Sequence, residues 1–302
     1  MKIADLRRVW ILSIVLFALA TSALAQQKRP MTFTDVMELR CVGSGSISPD
    51  GKWVLYTVSI PQWKVGKNYT DIFIAPTDGS APPRQMTFTK EKNESNPQWA
   101  RDSKQIAFLS DRGEKQQVYL MQIDGGEARA VSEHKDGANS FAFSRDGKWL
   151  AFSAGKPEER QLWLVDLTKE DPAVQLSKHS TPVVSFQWSP DSTRVFFIAT
   201  DTQDKDDQKR REKNFNARIW DDVRSPQHIW SVSVGDKSEK RWTSGSDYSI
   251  EGIGQSMDGQ WLGFRTVSTD RHANRTTQDE SELYLMNLTS GEIRRLTNNK
   301  VG

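Results

Sequence analysis

Short apolar runs and polar turns alternate along most of the chain, and five stretches share one pattern. They are "SISPDGKWVLYTV" around Asp50, "PQWARDSKQIAFLS" around Asp102, "FAFSRDGKWLAFS" around Asp146, "FQWSPDSTRVFFIA" around Asp191 and "IGQSMDGQWLGFRT" around Asp258. In each, an apolar strand runs into an Asp turn and a second strand leaves it, such as Ile106-Ala107-Phe108 or Leu150-Ala151-Phe152. A third strand alternates around Phe73, Tyr119, Trp163, Trp230 or Tyr284, and a weaker fourth closes the unit, as in "RQMTF" and "IRRLT". Period-two alternation bounded by turn residues predicts strands. The Asp turns lie 52, 44, 45 and 67 residues apart, and two of these intervals match a propeller blade.

The predicted fold class is therefore all-β: a β-propeller of four-stranded blades, with five blades visible. One blade cannot bury both faces of its sheet, so blades stack around an axis. Blades are expected to start near residues 46, 96, 140, 185 and 251. The sequence runs to "NNKVG", after a fourth strand and before another Asp turn. That fits a closed five-bladed ring or part of a larger one, the latter leaving blade faces and edges open.

Two segments break the pattern. Residues 26–45 lead into the first blade, and Asp35 to Arg40 reads as a short helix with Thr34 or Asp35 as N-cap and an Asp35–Glu38 capping spacing. Residues 201–227 form an insertion between the second and third strands of the fourth blade. Its charge run, Asp204 to Lys213, reads as a solvated face.

Composition sharpens this picture at the N-terminus. Lys2, Arg7 and Arg8 precede an apolar run from Val9 to Ala20, followed by Ala23-Leu24-Ala25. This is the form of a cleaved signal peptide, residues 1–25, and implies a secreted or periplasmic protein with no stable membrane span after cleavage. The 41 basic and 39 acidic residues are interspersed, giving a formal charge of +2 and no broad basic face for nucleic acid. Cys41 is the only cysteine, so no internal disulfide forms, and it reads as a partly buried structural thiol.

Candidate chemistry is sparse. Asp50, Asp102, Asp146, Asp191 and Asp258 recur once per unit in tight turns, where an Asp side chain accepts backbone N–H bonds, so they read as structural turn residues. Three residues before each stands Ile47, Trp99, Phe143, Trp188 or Gln255. Four are large and apolar, as blade packing requires, and Gln255 marks a wetter place or a cavity. His134 and His179 occupy equivalent positions and read as structural. No histidine has metal-ligand spacing, so no metal and no cofactor are expected. The strand–helix elbow G-x-S-x-G is absent, and no catalytic residue is assigned.

The stretch "MTFTDVMELRCVGSGSISPDGKWVLYTVS" (Met31 to Ser59), with the long insertion ending "ARIWDDVRSPQHIWSV", resembles the propeller of the prolyl oligopeptidase family of serine peptidases, in its acylaminoacyl-peptidase and dipeptidyl-peptidase-like branch. The resemblance covers about residues 31 to 302. It implies a ring of seven or eight blades, of which residues 46–302 would be a part. It also implies a C-terminal α/β-hydrolase domain, missing from this sequence, carrying Ser, Asp and His. The propeller would gate and bind short peptide substrates. Its candidate substrate-binding residues are Glu212, Arg218, Asp221 and Asp222, on the fourth-blade insertion; Glu158-Glu159 reads as solvated. The blade motif is shared by TolB-like periplasmic propellers, so a protein-binding module is the alternative.

Overall fold

The computed structural model describes residues 29–201, 225–268 and 281–298. The signal-peptide segment and all four candidate residues of the insertion lie outside these. Among the described residues, no helix is long and apolar enough to cross a membrane.

Among the described residues, twenty strands form five four-stranded antiparallel sheets, each with its strands in sequential order. Blade 1 holds β1 (Cys41–Ile47), β2 (Trp53–Gln62), β3 (Lys67–Pro76) and β4 (Arg84–Gln85). Blade 2 holds β5 (Glu94–Trp99), β6 (Gln105–Ser110), β7 (Gln117–Gln122) and β8 (Arg129–Ala130). Blade 3 holds β9 (Ala138–Phe143), β10 (Trp149–Ala154), β11 (Gln161–Asp166) and β12 (Val174–Gln175). Blade 4 holds β13 (Val183–Trp188), β14 (Arg194–Thr200), β15 (Gln227–Ser233) and β16 (Glu239–Arg241). Blade 5 holds β17 (Tyr248–Gln255), β18 (Trp261–Ser268), β19 (Glu282–Asn287) and β20 (Ile293–Arg295). The all-β propeller read from the sequence is the fold found.

Three details of the lead-in differ from expectation. The helix, α1, spans Phe33–Met37 and not Asp35–Arg40. Thr32 is its N-cap: Thr32 Oγ1 accepts the Asp35 N–H, and Asp35 Oδ2 accepts the Thr32 N–H at 2.7 Å. Arg29 forks onto the same carboxylate, which fixes Asp35 as the third helical residue and rules out Thr34 or Asp35 as the cap. The first strand begins at Cys41, earlier than position 46, because a register shift between Gly43 and Ser46, with Ser44 at φ +52°, breaks the alternation that marks a strand. Cys41 is exposed, not partly buried, since it opens the edge strand β1.

The core lies between blades. Leu55, Ile72 and Ile74 of blade 1 pack on Ile106, Phe108 and Met121 of blade 2. The later interfaces repeat this, with Phe152, Phe197 and Phe264 standing where Phe108 stands. Each fully buried Phe contributes roughly 1.5–3 kcal/mol, so stacking supplies the main favourable term.

The Asp turns are hydrogen-bonded units. Ser48, Ser144, Ser189 and Ser256 each donate to the carboxylate two residues on, at 2.5–2.6 Å. The same hydroxyls accept the N–H that opens the next strand, from Trp53, Trp149, Arg194 and Trp261. At Asp50 the Ser48 hydroxyl, then the Lys52 N–H, hold the carboxyl below its ordinary value. Burial pushes Asp146 up, but the Ser144 hydroxyl and Lys148 N–H outweigh it and the net shift is downward.

Candidate functional site

Strands one and two of every blade join at an Asp turn, so strands two and three join at the opposite end. Turn residues of all five blades (Pro49, Arg101, Ser144, Pro190 and Ser256 among them) line one shared cavity of about 440 Å³. The blades are therefore stacked in the same sense. One rim carries the turns, and the other carries the longer loops between second and third strands.

The turn rim is built for cohesion. Trp99 Nε1 donates to Ser46 O across the blade 1–2 interface at 3.3 Å, and Trp188 Nε1 donates to Ala142 O across the 3–4 interface at 3.0 Å. Arg145 reaches Met257 O at 2.9 Å. Gln255, the residue that departs from the large apolar pattern, lines this cavity, and its buried Oε1 has no partner among the described residues. The five repeated aspartates sit one per blade, each accepting a hydrogen bond within its own turn.

The loop rim is more varied. The β2–β3 hairpin extends to Gln62 and Lys67, capped by one 3₁₀ turn (Trp63–Val65) with Trp63 and Val65 exposed. The fourth-blade insertion leaves from Asp201 and returns at Pro226, and the Asp201 N–H donates to Pro226 O at 2.9 Å. Its base is tied by Arg241 to Asp201 at 2.9 Å, with fully buried His228 3.5 Å from the same carboxylate. Burial pushes the His228 imidazole below its ordinary value, and the nearby Asp201 only partly restores it. Glu212, Arg218, Asp221 and Asp222 fall between Asp201 and Pro226 in the sequence and lie outside the described residues. Glu158 and Glu159, on the third-blade loop, are exposed.

The histidines part ways. His134 Nδ1 accepts the Asp136 N–H at 3.2 Å, a loop bond. His179 instead meets Glu239 Oε2 at 2.9 Å and lies 4.5 Å from the Trp230 ring. Among the described residues, no three His, Cys, Asp or Glu side chains cluster as a metal site.

One pair at this rim escaped the sequence reading. Glu94 is fully buried; its Oε1 accepts from Ser110 Oγ at 3.0 Å and Arg112 Nη2 at 3.2 Å. The Arg112 guanidinium lies 4.5 Å over the Tyr119 ring. Its sequence signal was an acid at the start of a strand predicted to be apolar and a basic residue just past the next strand.

A stack of four-stranded blades, with a cohesive turn rim and a charged loop rim, defines a β-propeller. The sequence profile of the TolB beta propeller domain matches residues 40–197, and the chain belongs to that family. It is 33% identical over 120 residues to dipeptidyl-peptidase 5 of Porphyromonas endodontalis, covering 39% of this chain and 17% of that protein. With dipeptidyl-peptidase 5 of Porphyromonas gingivalis the identity is 38% over 108 residues, 36% of this chain and 16% of the other. The matched stretch thus spans less than a fifth of these relatives. In fold, the chain is similar to the propeller domain of the trilobed protease from Pyrococcus furiosus (TM-score 0.58, 14% identity, 86% of this chain and 71% of that one). It is also similar to acylaminoacyl peptidase from Pyrococcus horikoshii (TM-score 0.55, 14% identity, 86% and 39%).

Proposed function

We propose that the chain is the non-catalytic, substrate-binding and gating propeller of an exported serine peptidase that cleaves short peptides. On this reading residues 1–25 direct export, and the hydrolytic triad sits on an α/β-hydrolase domain joined to the propeller in a longer protein. The observation that carries it is the identity to two dipeptidyl-peptidases over more than a hundred residues each. The gathering of the variable loops on one rim supports it, because a ring with one elaborated rim can admit a chain end and hold it. The fourth-blade insertion then presents Glu212, Asp221 and Asp222 to a peptide's terminal amine, with Arg218 beside them.

Titration with a short peptide bearing a free amine, and with its N-acetylated form, tests this. The free amine should bind about tenfold more tightly, as a charge-assisted hydrogen bond requires. Combined Glu212→Gln, Asp221→Asn and Asp222→Asn changes should erase the difference; equal binding of the two peptides to the unaltered chain would overturn the assignment. The chain alone should not turn over dipeptidyl p-nitroanilides. Turnover blocked by a serine-directed phosphonate, in material free of host peptidases, would contradict the non-catalytic reading.

The match to the TolB domain favours a second reading, a propeller that binds a folded protein. A chain that ignores short peptides but forms a stoichiometric complex with a folded protein would support it.

A further inference from the structure

Where blades 2 and 3 meet at the loop rim, a cavity of about 330 Å³ is lined by Lys115, Gln116, Asp136, Asn139, Lys156 and Arg160. Three cations face one acid. Among the described residues none of the three cations has an ion-pair partner, and the Arg160 Nε is buried with no hydrogen bond.

The repeat shows what this place lacks. Glu94 pairs with Ser110 and Ala138 with Ala154 in the strand register, so Ala138 stands in blade 3 where Glu94 stands in blade 2. Two residues past Ser110 and Ala154 come Arg112 and Lys156, which are equivalent in turn. Arg112 is neutralised by the buried Glu94 carboxylate. Lys156 has an alanine in place of that acid. At the next junction the equivalent of Lys156 is Asp201, so a cation is not something the blade geometry demands. Glycine shapes the floor: Gly137 lies at φ +86°, and a Cβ there would come within 3.0 Å of Gln116 O.

We propose that this cavity is a carboxylate-binding site, in which a ligand carboxylate takes the part that Glu94 plays one blade earlier, paired with Lys156, Lys115 and Arg160. A carboxylate that meets two or three cationic donors in a half-enclosed cleft gains charge-assisted bonds without water competing for every donor. The identity of its owner, a short peptide offering its C-terminal carboxylate, rests on the peptide-holding reading above.

Two probes separate the claims. Acetate, titrated into ¹⁵N-labelled chain, should shift the Gly137, Asn139 and Gly155 amides saturably, and Lys156→Met should abolish the shifts. Failure of acetate to move them overturns the site. A peptide with a free C-terminus should bind about tenfold more tightly than its C-terminal amide, with the preference lost in Lys156→Met and in Lys115→Met. Equal binding of acid and amide overturns the C-terminal assignment even if both bind, and the peptide-holding reading then survives. Saturable acetate shifts without binding of either peptide leave the carboxylate site standing and sink the peptide reading. Lys52→Met, on the opposite rim, should change neither readout.

Discussion

Ser103 and Ser192 occupy the turn position that is glycine in blades 1, 3 and 5, and both take positive φ, +58° and +60°. A side chain there costs about 1 kcal/mol relative to glycine. The return is a bond to the preceding blade: Asp50 N–H donates to Ser103 Oγ at 3.0 Å, and Asp146 N–H to Ser192 Oγ at 3.1 Å. These are the interfaces that also carry the Trp99 and Trp188 indole bonds. Ser103→Ala, which keeps the strain and loses the bond, should destabilise by about 1 kcal/mol in urea unfolding, whereas Ser103→Gly, which loses both, should be near neutral. Equal losses would disprove the trade. The D-G and D-S difference was visible in the sequence, but its meaning was not. Which blade a hydroxyl reaches depends on a neighbour about fifty residues away.

At the scale of the element, the fourth strand of each blade is only two or three residues long, too short for its ladder to hold alone. A hydroxyl two residues past it does the holding. Thr87, Ser132, Ser177, Thr243 and Thr297 accept N–H bonds from Ile72, Val118, Leu162, Ile229 and Leu283 at 2.8–2.9 Å. Each also bonds the side chain just before that donor: Asp71, Gln117, Gln161, His228 or Glu282. The sequence shows the hydroxyl after each apolar residue, yet its partner belongs to the third strand and appears only once the register is known. In two latches the titratable group is shifted from its ordinary value. Burial, then the charge of Glu94, push Asp71 up, against the Thr87 hydroxyl. The folded state therefore holds that proton more tightly, and ionised Asp71 costs stability at neutral pH. Asp71→Asn should raise the melting temperature at pH 7 and leave it unchanged near pH 3; a fall at pH 7 would refute this. His228 has the opposite shift for a base. Above its unfolded value, near 6.5, both states are neutral. As pH falls below that value the unfolded state takes up the proton first, so stability drops. His228→Gln, which copies blades 2 and 3, should flatten melting temperature against pH between about 6.5 and 5.

Across the whole molecule, each blade turns one apolar face to its successor. Ile72, Val118, Leu162 and Ile229 are all 0% exposed, while their equivalent in blade 5, Leu283, is 47% exposed. Leu296, the counterpart of buried Met86, Val131 and Leu176, is 51% exposed. Among the described residues these two side chains are left uncovered, and exposed apolar surface of this kind invites association. Sedimentation velocity should show concentration-dependent oligomers, reduced by Leu283→Lys with Leu296→Glu. A monodisperse monomer at every concentration would show the face to be covered.

Sequence alone determined the strand pattern, the Asp turns and the five visible blades, because period-two alternation and turn chemistry are local and repeat five times. It also supports a structural reading of the turn aspartates, since one acid per unit in a tight turn has a local use for its oxygens. It did not reach the helix bounds at α1, the start of β1 behind its bulge, the Glu94–Arg112 pair, the inter-blade serine bonds or the cationic cavity. Those were decided by tertiary structure, where stacking sets which side chains of different blades meet. A buried charge is stabilised or left unpaired by a neighbour in space, and nothing in the local pattern around Lys156 says that Ala138, and not an acid, lies beneath it.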